Sequence, residues 1–177
     1  MRFLRVVASL LAGIGILISM QVEVAAATLT FTGNITTSSC KLAGGVTQKE
    51  VPLSPVHVNQ FNGVGSTTGF KDFDIDLENC PVQYNKVKIY FYSCTGPFAY
   101  IGAEGTCTRT STTVNVQLRN ADDTVIRIGT EADARSFSIN PNGTVSASYK
   151  VGYYAGAYPV VPNGADYTIT AELKYEN

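Results

Sequence analysis

The chain has 177 residues, a net charge of −1, 10 Tyr and no Trp. Its Lys and Arg residues are scattered and form no basic stripe that could neutralise phosphates, which excludes nucleic acid as a partner. One apolar run stands at the N-terminus, and no later segment is long and apolar enough to span a bilayer.

That run reads as part of a leader. Arg2 and Arg5 precede the apolar stretch Val6–Ile18, and Ala25-Ala26-Ala27 supplies small residues for cleavage, the layout of a secretory signal peptide. A cut after Ala26 or Ala27 is favoured, giving a signal peptide over 1–27 and one domain over 28–177. Gln21-Val22-Glu23-Val24 alternates like a strand, and an earlier cut near Met20 would keep it. That earlier cut, after Ser19, has bulky Leu17 at a position where the peptidase wants a small residue.

Six runs then alternate apolar and polar residues with period two, the pattern of half-buried strands. The first carries Leu29, Phe31 and Ile35, the second Phe73, Ile75 and Leu77, and the third Val87, Ile89 and Phe91. The fourth carries Val114, Val116 and Leu118, and the fifth runs from Val145 to Tyr154. The sixth presents Tyr167, Ile169, Ala171, Leu173 and Tyr175, almost at the chain end. Turn residues separate them: Gly44-Gly45, Asn62 to Ser66, Asp122-Asp123, Asn140-Pro141-Asn142-Gly143 as a hairpin-type turn, and Pro162-Asn163-Gly164. Pro52 and Pro55 bracket a short edge strand, and Thr124–Ile128 is a further short one. Antiparallel strands with such spacing predict an all-β sandwich of immunoglobulin type. About seven strands are wanted there, so six good ones predict a sheet that another strand must complete.

Four cysteines in an exported chain read as two disulfides with three connectivities open. Cys40–Cys80 with Cys94–Cys107 is favoured: the first pair ties neighbouring strand ends, and the second spans a Gly-rich loop as a local staple. Metal binding fits poorly, because the spacings contain no C-x-x-C and the single His57 is distant in sequence.

Catalytic patterns are absent. Gly63-Val64-Gly65-Ser66-Thr67-Thr68-Gly69 lacks the Lys-Ser/Thr ending of a phosphate loop. No G-x-S-x-G accompanies His57. Asp72, Asp74 and Asp76 share one strand face and read as a solvated row, since a calcium loop needs a Gly turn and a distant Glu. The acceptors Asn34-Ile35-Thr36 and Asn142-Gly143-Thr144 are short matches with little weight. Tyr153, Tyr154, Tyr158, Pro159 and Pro162 read as packing at one end of the sandwich, with a sugar or partner surface as the alternative.

Four segments together resemble the type 1 family of chaperone–usher fimbrial subunits. They are Phe31-Thr32-Gly33-Asn34-Ile35 before Cys40, Phe73 to Asn79 before Cys80, Val116-Gln117-Leu118, and the alternating C-terminus ending in Tyr175. The second cysteine pair is extra to the family's usual single disulfide, and two residues rather than one follow Tyr175. The resemblance implies an immunoglobulin-like domain lacking its last strand, completed by a strand from a periplasmic chaperone and then from the next subunit. It implies contact with chaperone and neighbouring subunits through Leu29, Phe31, Gly33, Ile35, Ile169, Ala171, Leu173 and Tyr175. The expected function is a structural, non-enzymatic subunit of a surface fimbria that contributes to adhesion, without cofactor or metal. The expected partners are chaperone, outer-membrane usher and other subunits. The chain is expected to be exported through the periplasm to the cell surface. A subunit that itself binds a host glycan or receptor is one alternative, and a soluble exported all-β ligand-binding protein another.

Overall fold

The computed structural model describes residues 23–24, 28–32, 40–96, 99–110, 112–161 and 166–177. The leader therefore lies outside the described residues apart from Glu23–Val24, as do Gly33, Asn34, Ile35 and Pro162.

In chain order the strands are β1 (Glu23–Val24), β2 (Thr28–Thr32), β3 (Lys41–Leu42), β4 (Gln48–Pro52), β5 (Val56–His57), β6 (Thr67–Glu78) and β7 (Lys86–Thr95). They continue with β8 (Ala99–Ile101), β9 (Cys107–Arg109), β10 (Val114–Asn120), β11 (Val125–Ile126), β12 (Arg135–Ser138), β13 (Val145–Ala155) and β14 (Asp166–Glu176). No α-helix occurs among the described residues, only single turns of 3₁₀-helix.

Two large sheets form an immunoglobulin-like sandwich. One has the order β3-β6-β13-β10-β9-β8 with β11 on β10, and the other β12-β7-β14-β2-β4. The alternating runs decide which faces meet. Phe73, Ile75 and Leu77 of β6 and Val145, Ala147, Tyr149 and Val151 of β13 are buried. They face Val87, Ile89 and Phe91 of β7. Tyr149 is the hub: its ring lies 5.1 Å from Phe91, 5.7 Å from Phe137 and 5.9 Å from Phe73. Burial of such rings supplies most of the cohesion, at roughly 25 cal/mol per Å² of apolar surface.

The polar partners in each alternation stay outside. Asp74 and Asp76 accept hydrogen bonds from Ser148 (2.6 Å) and Ser146 (2.7 Å) of the neighbouring β13. Among the described residues no cluster of His, Cys, Asp or Glu is placed to hold a metal ion.

Several local expectations need correcting. The segment between Pro52 and Pro55 is not a strand; Pro52 ends β4, and β5 begins after Pro55. Proline has no N–H to give a ladder, so strands stop beside it. The turn at Asn140–Gly143, closed by the Gly143 N–H on Asn140 O at 2.8 Å, does not join paired strands. It carries the chain from β12 in one sheet to β13 in the other. The Gly-rich stretch after Asn62 runs straight into β6, so no helix presents its N-terminus there. Tyr153 and Tyr154 are buried whereas Tyr158 is 59% exposed, so that aromatic group divides between core and surface.

The structure joins Cys40 to Cys80 and Cys94 to Cys107. The first bond links the start of β3 to the end of its partner β6, within one sheet. The second joins β7 to β9, which belong to different sheets, so it is a bolt through the sandwich rather than a local staple. Beside it, Gly105 adopts φ +65° and lies so close to the backbone of Arg127 that any side chain there would overlap it.

Candidate functional site

The sixth alternating run forms β14, and its two edges differ. On one side β7 pairs with it from Thr168 to Glu176. On the other side β2 pairs with it in parallel, but only from Asp166 to Thr170. Thr28–Thr32 thus sit between the C-terminal strand and β4, to which they are antiparallel, with Thr28 opposite Pro52 and Thr32 opposite Gln48. From Ala171 to Lys174 the described residues supply no strand on that second side.

Burial of the inward row follows the pairing. Tyr167 and Ile169, flanked on both sides, are buried, while Ala171, Leu173 and Tyr175 are only half-buried. The same alternation therefore yields a closed groove at one end of β14 and an open one at the other. Leu29 of β2 is fully buried, with Val51 of β4 directly opposite it. Leu53 and Val56 continue the apolar wall past the end of β4.

Tyr175 is held from two directions. Its ring stacks on Tyr84 with centroids 5.2 Å apart, and its hydroxyl accepts the Cys40 N–H at 2.7 Å. The disulfide at Cys40 thereby fixes both the start of β3 and the end of the groove. On the solvent side Glu176 accepts from Lys88 at 2.7 Å and from Ser136 at 2.6 Å. Those bonds hold its carboxyl below the usual range. Lys174 pairs with Glu131 at 2.8 Å, which raises the ammonium and lowers the carboxyl. These charges lie on the outer face; the groove floor is apolar.

The structure brings together Leu29, Ile169, Ala171, Leu173 and Tyr175 along this one edge. Phe31 is placed opposite Ile169 by backbone register, and Gly33 and Ile35 fall outside the described residues. Sequence reasoning missed the opposite wall, Val51, Leu53 and Val56. Its signal is weak, because two prolines interrupt the alternation there. It also missed Tyr84, which lies in the turn before β7 and shows no periodicity.

The sequence model of the family described as Fimbrial protein matches residues 29–176. No curated protein sequence matches the chain. Among solved structures it is similar to the P pilus rod subunit PapA, at 16% identity and TM-score 0.56, covering 78% of this chain and 100% of that one. A structure of a chaperone–usher pilus, concerned with rod uncoiling, is similar at 18% identity and TM-score 0.53, covering 82% and 93%. A Burkholderia pseudomallei antigen and type I fimbria protein shares 27% identity over 86% of this chain and 92% of that one, with TM-score 0.42.

Proposed function

This chain belongs to the fimbrial protein family, and we propose that it polymerises as a structural subunit of a surface fimbria by accepting a strand beside β14. The observation that carries this reading is the change along one strand. The inward row is buried where β2 flanks it and half-buried from Ala171 onward. A strand with alternate apolar side chains would close that row and satisfy the open backbone edge, the strand-addition mode of recognition. Left open, such an edge invites aggregation, so a periplasmic chaperone covers it first, and an outer-membrane usher then passes the subunit to its neighbour. The protein acts by assembly and not by catalysis. Its leader, 1–27, directs export and is removed, leaving 28–177 as the working domain.

The test is a C-terminal fusion of a second copy of residues 28–37 through a flexible linker. A strand that binds only the folded state stabilises it by mass action, and the thermal midpoint rises by roughly 10 °C. An unchanged midpoint in the fusion refutes strand acceptance at this edge.

A further inference from the structure

We propose that the free subunit is self-capped: its own N-terminal strand occupies the strand-accepting groove, and the uncovered part of β14 is the foothold from which an incoming strand displaces it. The proposal rests on the strand-accepting role given above and adds how that site is kept closed.

Three observations carry it. First, β2 lies between β14 and β4 and buries Leu29 completely, so it fills the groove rather than resting on its rim. Second, the occupation is in register over more than β2 itself. Glu23 and Val24 of β1 pair with His57 and Val56, and Thr28 pairs with Pro52. Three residues separate the two pairings on each strand, so both keep a single antiparallel alignment. The central piece, Thr28–Thr32, is retained by either of the two signal-peptide cuts. Third, the cap is incomplete: β14 has 11 residues, and β2 pairs with it at only 5 positions.

The energetics make this a closed but displaceable state. Thr32 is eight positions from Cys40, which is anchored to Cys80. So short a tether keeps the strand at an effective concentration of the order of millimolar. A free strand at ~10 µM then competes at a disadvantage of about 100-fold. A strand that first pairs along Ala171 to Lys174 avoids that disadvantage, because it gains contacts before β2 has to leave. Giving and receiving are thereby coupled. The segment that would be offered to a neighbour is released only when the groove has been taken by another strand, and premature self-polymerisation is held back.

The experiment uses the whole exported chain and a fluorescent synthetic peptide of residues 28–37. Leu29→Asp places a charge in the groove and loosens the cap; peptide uptake at ~10 µM is expected to rise about 100-fold over the unaltered chain. Thr30→Cys with Thr168→Cys joins residues that face each other in the parallel register. This pair is expected to cross-link in the monomer, block uptake, and restore it on mild reduction. If the pair does not cross-link, and the unaltered and Leu29→Asp chains take up peptide equally, the self-cap is overturned while strand acceptance stands. If neither chain takes up peptide, the strand-accepting reading falls, and this inference with it.

Discussion

Cys94 on β7 and Cys107 on β9 stand in opposite sheets, and their bond passes through the core between them. Both sulfurs are buried. Closing a loop with sequence separation 13 is worth roughly 3 kcal/mol in the chain-entropy model. Replacing Cys94 and Cys107 together by Ala is therefore expected to lower unfolding free energy by about 2–5 kcal/mol in urea titration. A change under about 0.5 kcal/mol would show that the crossing adds nothing to the sandwich.

Tyr149 buries its ring at the hub of the core, and its hydroxyl has no hydrogen-bond partner. Burial pushes its phenol well above the ordinary value. An unsatisfied buried hydroxyl costs about 1–3 kcal/mol. Tyr149→Phe is expected to keep the ring contacts and raise stability by about 1 kcal/mol, read as an upward shift in the urea midpoint. A lower midpoint would mean the hydroxyl is satisfied in solution.

Leu173 and Tyr175 line the open part of the groove. Leu173→Ser with Tyr175→Ser is expected to abolish capture by a periplasmic chaperone, leaving the subunit to be degraded before assembly. Immunoblots of periplasmic and surface fractions measure this. Tyr175→Phe is the companion variant: it loses only the bond from the Cys40 N–H and should still assemble. Normal fimbriation by the double serine variant would count against the site.

Asp133 accepts three hydrogen bonds from Arg127, from Nε at 2.7 Å, Nη2 at 2.9 Å and the backbone N–H at 3.0 Å. The guanidinium bonds hold its carboxyl below the usual range. A carboxyl depressed in the folded state stabilises above its unfolded pKa of about 3.9, and that contribution is lost as pH falls toward the lower folded value. Asp133→Asn is thus expected to lower the urea midpoint at pH 6 and to match the unaltered chain at about pH 2. A gap that persists in acid would assign the effect to geometry instead of charge.

The six alternating runs announced the sandwich because period two and burial on one face are the same fact. Phe73, Ile75 and Leu77 needed no tertiary knowledge to be assigned inward, nor did Tyr167 and Ile169. What stayed hidden depends on which strands become neighbours. Nothing in Asn140–Gly143 distinguishes a turn within a sheet from one that changes sheets, and nothing near Cys107 says that β9 joins β10. The position of β2 was hidden for the same reason. Leu29 and Phe31 read as strand residues facing an apolar surface, but that the surface includes their own C-terminal strand is a matter of pairing at long range. The prolines at 52 and 55 masked the opposite wall by breaking the alternation that reveals the others.

Gly105, pressed against the backbone of Arg127, has a consequence that reaches beyond this one molecule. No side chain can be accommodated there without moving the segment that carries Ile128, whose N–H bonds to Gly105 O at 3.0 Å. Any relative that keeps the Cys94–Cys107 loop folded in this way must therefore keep glycine at the aligned place. Gly105 and the second cysteine pair should be gained and lost together as the family diversifies, which makes the three positions a joint marker for the branch that carries this loop.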